Sequence, residues 1–145
     1  MKSNEVLLAE VPRHEYAQAN VQPGQKWRLE FNAACWLRVR SSDAVLVSLM
    51  LRWRDGGGER QLQVDQAGCG GKESMLLNGL VSVSATGRIE EMSAWVVTDG
   101  RCDLFVDELL VQRKAPPQPA QPPRPLQMPN PAAAATPVPN RMTAR

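Results

Sequence analysis

Residues 45–65 read VLVSLMLRWRDGGGERQLQVD, two runs of period-two alternation joined by a glycine-rich turn. Val45, Val47, Leu49, Leu51 and Trp53 fall on one face of an extended chain, opposite Leu46, Ser48, Met50, Arg52 and Arg54. With Asp55 to Gly58 as a four-residue hairpin loop, Arg54 opposes Glu59, Leu51 opposes Leu62, and Leu49 opposes Val64. Apolar then meets apolar, and polar meets polar. A slip by one residue would reverse every side chain, so the match of both faces fixes the register.

The same period extends outward from this hairpin. Trp27, Leu29 and Phe31 alternate with Arg28 and Glu30, and Cys35, Leu37 and Val39 with Trp36, Arg38 and Arg40. Val81 and Val83 follow, then Met92, Ala94 and Val96. The last run, from about Cys102 to Gln112, changes parity between Val106 and Leu109, which calls for a bulge at Asp107-Glu108. Helical periodicity is weak throughout. Roughly eight short strands within about 110 residues predict an all-β fold, a two-sheet antiparallel β-sandwich or jelly roll, with a closed barrel as the alternative. Glu10 to Gln25, with two prolines, reads as a long connection, and Ala67 to Gly71, which holds Cys69, as a flexible loop.

Composition divides the 145 residues into a sandwich domain, 1–114, and a proline-rich tail, 115–145. Ten of twelve prolines lie between Pro116 and Pro139. The domain carries 14 Lys+Arg against 15 Asp+Glu, whereas the tail has three Arg and no acid. The formal +2 is thus a tail property, which argues against a body that binds nucleic acid through a cationic surface. A segment so rich in proline cannot pair in a sheet and is expected to extend, partly as polyproline II, over roughly 95 Å. It reads as an arm laid on neighbouring subunits and fixed there by Arg124, Leu126, Met128, Val138 and Arg141.

The apolar run Val6 to Ala9 is too short for a signal peptide, and Val45 to Leu51 too short to cross a bilayer. The expected compartment is the cytoplasm during synthesis, or a virion for a phage-encoded chain, with no membrane partner. Cys35, Cys69 and Cys102 form no close pair, so neither a disulfide framework nor a zinc site is expected. Catalytic patterns are absent as well. His14 is the single histidine, Gly56 to Gly58 opens no phosphate-binding helix, and neighbouring carboxylates such as Glu90-Glu91 point to opposite faces of a strand.

The order GQKWRLEF (24–31), Val45 to Trp53, Asp55-Gly56 and DLFVDELLV (103–111) resembles the carbohydrate-binding-module-like, galactose-binding-type jelly rolls. The resemblance implies a non-catalytic binding or interaction domain. It further implies a structural calcium near the final strand, with Asp107 at the acidic position, and glycan recognition on an aromatic platform. Trp36, with Arg38 and Arg40 on its polar face, is the outward-looking candidate platform, and Trp95 the second. Trp27 and Trp53 align with apolar neighbours and read as core. The expected function is a structural or interaction protein, foremost a phage capsid-decoration or tail-associated subunit whose tail docks on its neighbours. The alternative is a glycan-binding module, and a third reading is an adaptor whose tail a partner domain binds.

Overall fold

The computed structural model describes residues 4–115 and 118–119. The tail residues Arg124, Leu126, Met128, Val138 and Arg141 lie outside the described residues, as does any path the tail takes beyond Pro119. Two antiparallel sheets face one another, as the alternation requires. Strands β1 (Asn4–Glu10), β6 (Glu91–Thr98), β3 (Val45–Asp55) and β4 (Gly58–Cys69) form one sheet in the order β1-β6-β3-β4. Strands β5 (Lys72–Thr86), β2 (Lys26–Arg40) and β7 (Asp103–Arg113) form the other in the order β5-β2-β7. The short β8 (Gln118–Pro119) pairs with β2 beside Trp27 and Arg28, so the start of the proline-rich segment joins the sheet, contrary to the expectation that it cannot; two residues at the sheet margin suffice for this pairing.

Each sheet turns one row of side chains inward. Trp27, Leu29, Phe31, Ala33, Cys35, Leu37 and Val39 are all buried along β2, and Val45, Val47, Leu49, Leu51 and Trp53 along β3. The sequence suggests two separate blocks between Trp27 and Val39, but they are one 15-residue strand. Ala33 is small yet inward and buried, so the period of two passes unbroken through Asn32-Ala33-Ala34. The buried residues form two clusters bridged by Leu8, Val64, Leu109 and Val111, so residues between Leu8 and Val111 close the core. The connection after β1 holds a single 3-10 turn, Arg13–Glu15, and seals one end with buried Val11 and Tyr16. Glu15 Oε1 accepts a hydrogen bond from Arg113 N at 2.9 Å, tying that connection to the end of β7.

The β3–β4 hairpin follows the expected register from Arg54↔Glu59 through Leu51↔Leu62 to Met50↔Gln63. Asp55 and Gly58 are themselves paired, which leaves the two-residue loop Gly56-Gly57 in place of four residues. Beyond Met50 a bulge moves Leu49 opposite Asp65 rather than Val64. The extra residue reverses the parity of β4, so Ala67 and Cys69 turn toward the interior. Cys69 therefore ends a strand, buried, instead of sitting in a flexible loop. Asp65 holds the bulge by accepting from Asn78 N at 3.0 Å, on β5 of the other sheet. Gly79 permits this approach. A Cβ there would stand 2.9 Å from Val64 O, closer than side-chain carbons come to backbone.

The bulge expected in the last strand is present. Trp36 pairs with Glu108 and Leu37 with Val106, leaving Asp107 as the extra residue. Among the described residues no helix is long and apolar enough to cross a membrane.

Candidate docking face

Strand β2 is central in its sheet, so its outward residues lie between neighbours on both sides. Trp36 sits opposite Leu76 of β5 and Glu108 of β7. One row along, Ala34 lies between Asn78 and Leu110, and in the next row Asn32 lies between Leu80 and Gln112. In the other direction Arg38 lies between Ser74 and Phe105. From Arg38 to Asn32 these rows span about 20 Å of strand. Within them Trp36 (48 %), Phe105 (50 %), Leu80 (54 %), Leu110 and Leu76 are all exposed. Five large apolar side chains exposed on one sheet face, interspersed with Asn32, Ser74, Asn78 and Glu108, form a band of the kind that marks an interaction surface.

Ion pairs border this band. Arg38 reaches Asp107 at 3.1 Å and lies over the Phe105 ring at 5.7 Å, and Arg40 reaches Asp103 at 3.4 Å. Arg28 and Glu30 pair at 3.3 Å toward the other end of β2. Glu108, beside Trp36, makes no ion pair among the described residues. Exposed pairs such as these contribute at most about 1 kcal/mol each to stability, but they leave the border with little net charge.

The structure thus brings Trp36, Arg38 and Arg40 onto one face. It does not add Trp95 to them. Trp95 lies on the outer face of the opposite sheet, where the Arg52 guanidinium covers its ring at 4.4 Å and its Nε1 donates to Ser93 Oγ at 2.8 Å. Arg52 is held there by Glu5 at 3.0 Å and by Gln61, and this hydrogen bond and charge keep the Glu5 carboxyl below its usual range. An open groove of about 480 Å³ runs past this tryptophan between Arg52, Arg54, Glu59, Arg60, Gln61 and Glu91. Its charges are largely satisfied internally, since Arg54 binds both Glu90 and Glu91.

The surroundings of Asp107 do not fit a calcium ion. Its carboxylate already meets the Arg38 guanidinium through Oδ1 and Oδ2, and among the described residues no three His, Cys, Asp or Glu side chains gather at one point. His14 is exposed and contacts Glu15 at 3.0 Å. Cys35 is wholly buried, and burial pushes its thiol up to about 11, so it remains protonated at neutral pH.

Sequence alternation leads to Trp36, but not to the rest of the band. Leu76 and Leu80 belong to a segment whose strand character is hidden, because Met75-Leu76-Leu77 shows no apolar-polar contrast. Pairing with β2 assigns Met75 and Leu77 to the core and Leu76 to the surface. Phe105 and Leu110 become outward only through the bulge at Asp107. The chain matches no protein-family model, no curated protein and no solved structure.

Proposed function

We propose that this protein is a non-catalytic structural and interaction β-sandwich, a subunit of a larger assembly, which docks on protein through the outer face of the β5-β2-β7 sheet. The observation that carries this reading is the exposed band of Trp36, Phe105, Leu110, Leu76 and Leu80 on that face. At about 25 cal/mol for each Å² of apolar surface removed from water, covering such a band supplies a substantial part of a protein contact. The setting we assign is a phage particle, as a decoration or tail-associated subunit, on the strength of an acid-free, proline-rich arm attached to a near-neutral sandwich.

Hydroxyl-radical footprinting of the native assembly and of the isolated chain tests this reading. Trp36, Phe105 and Leu110 are expected to be protected in the assembly and labelled in the isolated chain, while Leu46 on the opposite sheet is labelled in both. Equal labelling of Trp36 in the two states would reject the reading.

Glycan recognition on the same tryptophan is the second reading, favoured by the exposure of the Trp36 ring beside Arg38. Its neighbours are mixed. A sugar platform needs hydrogen-bonding groups around the ring, and here Glu108, Ser74 and Asn78 share the surrounding rows with Leu76, Phe105 and Leu110, while Arg38 is already engaged by Asp107. A glycan array with wild type and Trp36→Ala decides this point; binding that is lost in the variant would favour the glycan reading.

A further inference from the structure

We infer that the Trp36 face receives the proline- and arginine-rich arm, residues 120–145, of a second copy of this chain. The inference rests on the docking reading above and names the occupant of the face.

Strand β7 runs antiparallel to β2, and the chain continues past it until Gln118 and Pro119 pair with Arg28 and Trp27. Trp36 lies eight residues further along β2, about 26 Å away at the rise of a strand. The described chain therefore ends, at Pro119, toward the end of the sheet remote from Trp36.

Pro122-Pro123-Arg124-Pro125 follows three residues after Pro119, a composition that favours extended chain over the tight reversal needed to return over its own sheet. Twenty-six residues remain after Pro119, a reach of roughly 80 Å at 3.1 Å each. That reach is ample for a neighbouring subunit.

Proline-rich segments dock on exposed aromatic rings, with little ordering cost because they are already extended. Trp36 and Phe105 supply two rings in adjacent rows, and Leu76, Leu80 and Leu110 offer apolar contact for Leu126 and Met128. The charges agree. The arm contains Arg124, Arg141 and Arg145 and no acid, whereas Glu108 at the centre of the face has no cationic partner among the described residues. Arg38 and Arg40, the arginines of the same face toward the β7 edge, are already bound to Asp107 and Asp103. Exchanged reciprocally between two copies, the arm-to-face contact closes a two-fold dimer; passed on in one direction, it builds a ring or an open row of subunits.

Complementation tests this assignment. Three proteins are compared by sedimentation velocity: the full chain, the full chain with Trp36→Glu and Leu110→Glu, and residues 1–119, which retain every residue of the two core clusters. The full chain is expected to form species heavier than the 16.0 kDa monomer. Each altered protein alone is expected to be monomeric. Mixed in equal amounts they are expected to form a 1:1 complex, one supplying the arm and the other the face. Glu108→Arg, which leaves the apolar band intact, is expected to weaken the full chain's self-association roughly tenfold. Unchanged thermal unfolding midpoints show that the variants remain folded. Self-association of residues 1–119 alone would mean that face pairs with face and would overturn the assignment. A full chain that stays monomeric, or a mixture without the complex, would overturn it as well. Protection of Trp36 in the native assembly would then still uphold the docking reading, with a different protein on the face.

Discussion

Trp36 stands directly opposite Glu108 where β2 pairs with β7, and the next residue of β2, Leu37, skips Asp107 to pair with Val106. This single bulge serves both sides of the sheet. It lets Leu104, Leu109 and Val111 turn toward the core while Phe105, Glu108 and Leu110 face solvent. The extra residue, Asp107, is left to bind Arg38.

Because that pair is exposed, Asp107→Ala is expected to lower stability by less than about 1 kcal/mol. Calcium is expected to leave the unfolding midpoint of both wild type and Asp107→Ala unchanged. Differential scanning calorimetry with and without calcium reads both outcomes, and a calcium-dependent rise confined to wild type would contradict the account of Asp107.

Asp55 is buried, and its carboxylate fastens one sheet to the other. It accepts from Trp53 Nε1 at 3.1 Å, from Gly57 N at 2.7 Å and from Thr86 N at 3.1 Å. Gly56 N donates to Thr86 O at 2.8 Å beside it. Asp55→Ala would leave three donors without their acceptor, an expected loss of about 3–5 kcal/mol in urea unfolding. A loss below 1 kcal/mol would mean that the hairpin loop does not depend on the carboxylate.

Two glycines provide a matched comparison. A methyl group at Gly79 would collide with the backbone of the β4 bulge, whereas one at Gly70 would meet nothing within 4 Å. Gly79→Ala is expected to cost about 1–3 kcal/mol and Gly70→Ala to stay within roughly 0.5 kcal/mol of wild type. Equal effects would contradict the close approach of β4 to β5.

Cys35 makes stability depend on alkaline pH. Its thiol releases a proton near 9 when exposed but only at about 11 in the fold, so between those values the unfolded chain holds fewer protons. Folding stability should therefore decline as pH rises from about 9 toward 11. Cys102, also pushed up by burial, adds in the same direction. Urea midpoints at neutral and alkaline pH are expected to differ less for Cys35→Ala than for wild type. An identical alkaline decline in both would contradict a buried, protonated Cys35.

Much of the fold was readable from alternation, because a sheet with one dry and one wet face writes its period into the chain. Val45 to Trp53 is the clearest instance, and even the Asp107 bulge announced itself as a parity change. What alternation could not reveal was any segment whose two faces are both apolar. Met75-Leu76-Leu77 is such a segment, because the outer face of its sheet is itself partly apolar. The feature that obscured β5 is therefore the feature that marks the docking face. Trp95 misled for a complementary reason: parity places it outward, but only the structure shows Arg52 already lying on its ring.

The four tryptophans give four indole N–H signals, and these permit the most direct test of the docking face. Residues 1–119, labelled with ¹⁵N, are titrated with a peptide of residues 120–145. The Trp36 indole signal is expected to shift progressively to saturation while those of Trp27, Trp53 and Trp95 stay in place. Shifts confined to Trp95, or no shift of Trp36 at saturating peptide, would contradict docking of the arm on this face.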